Sequence, residues 1–134
     1  MRRLLLLLLL SFALQVPAQQ VQTNTFQSLS VDKFAQCIDG KRVTIIDVRT
    51  TGEVAQGMIP GAVNVVWDAK NPSQFLSDIK RLKIGKRHTL AVYCRSGRRS
   101  KAASRLLAEN GYEVVELQPG ITGWIREGKE VRKP

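Results

Sequence analysis

Apolar and polar positions follow two rhythms along most of this 134-residue chain. Short, nearly unbroken apolar runs read as strands buried on both faces of a sheet: VTIID (Val43 to Asp47), AVNVV (Ala62 to Val66), TLAVYC (Thr89 to Cys94) and YEVVEL (Tyr112 to Leu117). FQSLS (Phe26 to Ser30) reads as a further short strand. The intervening segments change to a helical period. Ser30 caps a helix with Val31, Phe34, Ala35 and Ile38 on one face, closed by Gly40. Asn71-Pro72 opens another, with Phe75, Leu76, Ile79 and Leu82 inward. Ser100 to Asn110 reads as a third, with Ala102, Ala103, Leu106 and Leu107 inward and Gly111 at its end. Gly120 to Gly128 is expected to be a loop carrying Trp124 on about one helical turn. Strands alternating with helices at this spacing predict an α/β domain with a mainly parallel, five-stranded sheet and helices on both faces.

The first residues break the rhythm. Arg2 and Arg3 precede an apolar run from Leu4 to Leu14, and Val16-Pro17-Ala18 offers small residues before a cut. Residues 1–18 are therefore expected to be a signal peptide, residues 19–25 a polar arm, and residues 26–134 the domain. The run falls short of the roughly 20 apolar residues that span a bilayer, and no cysteine follows it for lipid attachment. The mature chain is expected to be exported, periplasmic or extracellular, without stable membrane insertion. Loss of residues 1–18, with their two arginines, leaves 116 residues and a net charge of about +8, enough for one domain with a core.

Much of that charge lies in KRLKIGKR (Lys80 to Arg87) and in the segment after Cys94. Aromatic residues are sparse and no recognition motif accompanies the basic run, so nucleic acid is not an expected partner. A solvated basic connector, with attraction of small anions, fits better. Two cysteines 57 positions apart and one histidine, His88, make neither a disulfide framework nor a structural zinc site. No metal or cofactor is called for, and a monomer is expected.

CRSGRRS (Cys94 to Ser100) holds the candidate chemistry. Ligands of open α/β sheets bind beyond the C-terminal ends of strands, where Cys94 and Asp47-Val48-Arg49 both fall. The segment from Arg95 to Arg99 leads into a helix, so successive N–H groups can converge on one point, and the helix start adds about half a positive charge. Gly97 allows the tight turn. Such surroundings hold a thiolate well below the free value of about 8.5. Arg95, Ser96, Gly97, Arg98 and Arg99 are the candidate anion-binding loop, although three arginines cannot all turn inward from it. Asp47, Arg49 and Ser100 are candidates for supporting it, Asp47 by a salt bridge to Arg49 or by capping a helix. Cys37 lies about 110° from the centre of its helix's apolar stripe, and is read as a bystander.

These residues resemble the single-domain rhodanese family, the thiosulfate sulfurtransferases, over roughly Phe26 to Val131. Asp47-Val48-Arg49 with Glu53, Ile59-Pro60-Gly61-Ala62, the Cys94 to Arg99 loop, and Gly111, Leu117, Gly120 and Trp124 match the family's motifs in order. Met58 stands where the family commonly has histidine, Val54 where an aromatic is usual, and Pro119 where the first of two glycines is expected. The resemblance implies a sulfurtransferase in which Cys94 takes the outer sulfur of thiosulfate or a similar donor as a persulfide, ringed by the N–H groups of Arg95 to Arg99. A thiol or cyanide acceptor then removes it. Three other readings stay open to comparison. Phosphatases and arsenate reductases of related architecture place five residues between cysteine and arginine, where this chain has Ser100 in the arginine's position. Thiol-disulfide oxidoreductases show two cysteines two residues apart, which Cys94 lacks. A rhodanese module can also act without turnover, as a sulfur carrier, a redox sensor or a protein-binding domain.

Overall fold

The computed structural model describes residues 13–15 and 25–134. The expected leader (1–18) and arm (19–25) thus lie outside the described residues, apart from residues 13–15 and Thr25. Among the described residues, no helix is long and apolar enough to cross a membrane.

Ten elements follow in order: β1 (Gln27–Leu29), α1 (Val31–Ile38), β2 (Val43–Asp47), α2 (Thr51–Ala55), β3 (Val63–Asn64), α3 (Pro72–Arg81), β4 (Thr89–Tyr93), α4 (Arg98–Glu109), β5 (Glu113–Leu117) and α5 (Gly120–Arg126). The strands form one sheet in the order β1-β5-β4-β2-β3, with every pairing parallel. This is the expected architecture, and its centre is β4, the strand that Cys94 directly follows.

Alternation along the strands divides the core in two. Ile46 and Val48, Leu90 and Val92, and Val114 face α3 and α4, meeting Phe75, Ile79, Ala103 and Leu107. Ile45, Ala91 and Tyr93, Val115 and Leu117 face the other way, meeting Val31 and Phe34 of α1 and Ile121 and Trp124 of α5. Helices therefore cover both faces, and the apolar strand runs are continuous because each face has its own core.

The caps fall where the sequence places them for α1 and α3: Ser30 accepts from the Lys33 N–H and Asn71 from the Gln74 N–H, with Pro72 in the first turn. Three boundaries differ. β3 is confined to Val63–Asn64, although the Val65 and Trp67 N–H groups still bond the carbonyls of Asp47 and Val48. α4 begins at Arg98, two residues ahead of the expected Ser100. The segment expected to be a loop with one turn is the seven-residue helix α5. α2, which the apolar rhythm does not predict, buries Val54 alone.

Phe34, wholly buried, meets Trp124 edge to face at 6.2 Å and joins α1 to α5 across one core. Phe34→Ala is expected to cost about 3–5 kcal/mol of unfolding free energy, read as a lowered midpoint in denaturant with little change of slope.

Candidate active site

The site begins with a helix that has no side-chain cap. The N-cap of α4 is Gly97, at φ 98°, which can offer no acceptor. First-turn N–H groups have no partner within a helix and need one from outside. Here the sulfur of Cys94 serves: the Gly97 N–H donates to Sγ at 3.1 Å and the Ser100 N–H at 3.3 Å, while the Ser100 hydroxyl lies 3.4 Å away. Cys94 Sγ thus occupies the place that a serine or aspartate oxygen takes at an ordinary helix start.

For these N–H groups to turn inward, the loop's carbonyls must turn outward and find donors of their own. They find them at the start of α5. The Ile121 N–H donates to the Cys94 carbonyl at 2.9 Å and the Thr122 N–H to the Arg95 carbonyl at 3.1 Å. The approach is close enough that side chains are excluded. A Cβ on Gly97 would strike the Gln118 carbonyl and one on Gly120 the Arg95 carbonyl, and both residues have positive φ (98° and 64°). This explains why residues 120–126 are helical despite two glycines.

Cys94 is only 1% exposed. Burial alone would raise its pKa, but the Ser100 hydroxyl and the N–H groups of Ser100, Ser96 and Gly97 outweigh burial and bring it below the ordinary value. Hydrogen bonds, more than arginine charge, carry the shift. Cys94 forms part of the wall of a cavity of about 670 Å3, together with Thr50, Trp67, Asp68, Arg95 and Arg98.

The three arginines divide. Arg95 and Arg98 are exposed at the cavity. Arg99 also lines the cavity but is half-buried, in a two-pronged pair with Glu53, at 2.7 and 2.9 Å, which ties the start of α4 to α2. α2 is itself held by a capping box between Thr50 and Glu53. Asp47 and Arg49 form a buried pair at 2.7 Å; the guanidinium also donates to the Gly57 carbonyl and stacks 5.7 Å from the Tyr93 ring centre. Their bonds secure the turn after β2, one step behind Cys94. Cys37 is half-buried against the core on the α1 and α5 face of the sheet, with its thiol pushed up by burial and by Glu113.

Sequence reasoning missed Glu116, a wholly buried carboxylate on β5 that accepts from the Ser100 hydroxyl at 2.9 Å. Its signal was one acid inside the apolar run YEVVEL. Trp67 and Asp68 were also missed; they follow a strand end, as Cys94 does. Thr50 and Glu53 carry the T-x-x-E spacing of a capping box, which would have revealed α2.

The family model of the rhodanese-like domain matches residues 30–127, and the chain belongs to that family. It is 37% identical over 97 residues to a sulfurtransferase of Allochromatium vinosum, covering 72% of this chain and 84% of the relative. It is 31% identical over 104 residues to a thiosulfate sulfurtransferase of Shewanella oneidensis, covering 75% and 94% of the two chains. Among solved structures, a rhodanese-related protein of Thermoplasma volcanium superposes with a TM-score of 0.68 at 29% identity, over 81% of this chain and 99% of that one.

Two predictions follow from the joints of the site. Gly120→Ala forces a strained φ and a clash with the loop carbonyl; it is expected to cost about 1–3 kcal/mol in denaturant unfolding and to slow alkylation of Cys94. The Arg99 hydrogen bond holds the Glu53 carboxyl down, from its ordinary 4.5 to about 2, against the opposing effect of its burial. Because folding lowers this pKa, the pair stabilises fully above about pH 4.5 and its contribution fades as pH falls toward 2. Glu53→Gln should therefore melt below wild type at neutral pH, and the gap should narrow through that acidic window in thermal scans.

Proposed function

We propose that this protein is an exported sulfurtransferase that carries a sulfane sulfur from thiosulfate, or a similar small anionic donor, to a thiol or cyanide acceptor through a persulfide on Cys94. The carrying observation is the sulfur itself: a thiol with lowered pKa, ringed by N–H groups, in the wall of a cavity with Arg95 and Arg98. Membership of the rhodanese-like family and similarity to sulfurtransferases support the same reading.

The Cys94 thiolate attacks the outer sulfur of thiosulfate. The new S–S bond forms as the bond to the sulfonate sulfur breaks, and its electron pair leaves with sulfite, so total charge is unchanged. Arg95 and Arg98 attract the dianion and offset charge on the departing sulfite. The loop N–H groups remain available to the persulfide. Cyanide or a thiolate then attacks the terminal sulfur, forming thiocyanate or a new persulfide and restoring the Cys94 thiolate. Export is supported by the basic and apolar leader pattern of residues 1–18.

Intact mass measurement of the purified protein tests this directly. Thiosulfate should add one sulfur atom and cyanide should remove it. Cys94→Ser should abolish both steps, and Cys37→Ser should leave both in place. No mass gain in the wild type would overturn the reading, and loading without release to any acceptor would identify a carrier instead of an enzyme.

A further inference from the structure

The two ends of the sheet treat their cations differently. At the end that carries Cys94, Arg49 is matched by Asp47, Arg99 by Glu53 and Lys101 by Glu116. At the opposite end most cations have no such match. Because the strands are parallel, the segments ahead of them come out together, with Val43 level with Thr89 and Thr89 with Glu113. Lys41 and Arg42 precede β2, while Lys83, Lys86 and Arg87 precede β4. Lys80 joins them from the close of α3, which returns to this end from the top of β3. All six are exposed, and none forms an ion pair among the described residues. Arg81, beside Lys80, has Asp78 at 3.4 Å.

The fold, and not counter-charge, holds this group together. Lys86 donates to the Asn110 carbonyl at 2.6 Å and lies 3.3 Å over the Tyr112 ring, with its pKa lowered by partial burial and by the charge of Lys80. Asp39, Glu109 and Glu113 also belong to this end, at the close of α1, the close of α4 and the start of β5. They leave the positive excess on the half formed by β4 and β2. In its midst stands Leu82, 39% exposed, between Arg81 and Lys83. An exposed leucine by itself is ordinary. Surrounded by unpaired lysines and arginines, it has the composition of a segment that lies in a bilayer interface.

We propose that this basic end of the domain docks on the surface of a bilayer containing anionic phospholipid, with Leu82 at the acyl boundary and Lys80, Lys83, Lys86 and Arg87 against the head groups. The proposal does not depend on what Cys94 does. Lipid fits better than nucleic acid, because single strands are held by stacking side chains and none of the exposed large hydrophobic residues is aromatic among the described residues. The path of the chain favours lipid too. β1 begins at this end, with Gln27 level with Val115, so the chain leading in from the apolar run of residues 4–14 arrives here.

Docking in this sense leaves Cys94 facing away from the lipid. The five residues of β4 set the site roughly 16 Å beyond the basic end, about two Debye lengths at physiological ionic strength. Anionic head groups therefore do not repel an anionic donor from the cavity.

Co-sedimentation of the full chain with vesicles tests the proposal. Neutral phosphatidylcholine vesicles measure what residues 4–14 contribute. Vesicles with about one-third phosphatidylglycerol should bind about tenfold or more tightly than neutral ones at about 0.1 M salt, and the difference should vanish as salt is raised. Lys83→Glu combined with Arg87→Glu is expected to reduce that preference about tenfold. Lys70→Glu combined with Lys133→Glu changes net charge equally at two exposed lysines elsewhere, and is expected to alter it about twofold or less. Cys94 should be alkylated at the parent rate in both. No preference in the parent, or an equal loss from both pairs, would overturn the proposal.

A second readout keeps every cation. In Leu82→Trp, the emission should move to shorter wavelength on anionic vesicles by more than on neutral ones, beyond any change from Trp67 and Trp124 in the parent. Equal shifts on the two vesicles would sink the docking geometry. So would a duplex oligonucleotide that stays bound at the ionic strength releasing the vesicles, and is lost in Lys83→Glu with Arg87→Glu, since the surface would then be one for nucleic acid.

Discussion

The site depends on how a few peptide units are oriented at the end of β4. Their N–H groups turn toward one sulfur and their carbonyls turn away from it, and neither direction is tenable unless both sets are satisfied. α4 supplies the first condition by beginning without a cap of its own. α5 supplies the second by presenting its first free N–H groups to the Cys94 and Arg95 carbonyls. Two helix starts thus bracket one loop, and the thiol is acidic because it completes a helix. The parallel sheet makes this possible: β4 and β5 lie side by side and point the same way, so the segments after both emerge together.

Charge plays a different part from the one that the density of arginines suggests. The sulfur is held by short hydrogen bonds that outweigh its burial, whereas Arg99 is a strut between α4 and α2 and Arg49 a strut within the turn after β2. Arg99 still feels the charge of Cys94, but its guanidinium is held in place chiefly by the two-pronged pair with Glu53. Arg95 and Arg98 remain to shape the field at the cavity, where they act on what approaches more than on what is already bound.

Strand and helix order, the parallel sheet, its two faces and the cysteine loop were legible in the sequence because each rests on a local pattern. An apolar run, a capping serine or a glycine before a helix acts within a few residues of itself. What was not legible depends on residues distant in the chain. α5 reads as a loop because two glycines disfavour a helix, and the carbonyls of residues 94 and 95, with the burial of Ile121 and Trp124, offset that preference. α2 is too short to show a period, with one buried apolar residue and a cap as its local support. The Arg99 and Glu53 pair spans 46 positions and the Ser28 and Glu116 pair 88, so neither spacing carries a signal. The sequence shows that the loop's three arginines cannot all turn inward, but gives no means of telling which has a carboxylate waiting.

The junction between the sulfur loop and α5 is made by main chain against main chain, with two glycines at the point of contact. Its shape is therefore written in atoms that every amino acid shares. The side chains of Arg95, Ser96 and Arg98 are exposed, and these residues contribute to the frame through their main chain. Evolution can re-letter these three positions to court a different donor or acceptor while the frame that makes a sulfur nucleophilic passes unaltered from one version to the next. A chemistry kept in the backbone and a preference kept in side chains can be inherited separately.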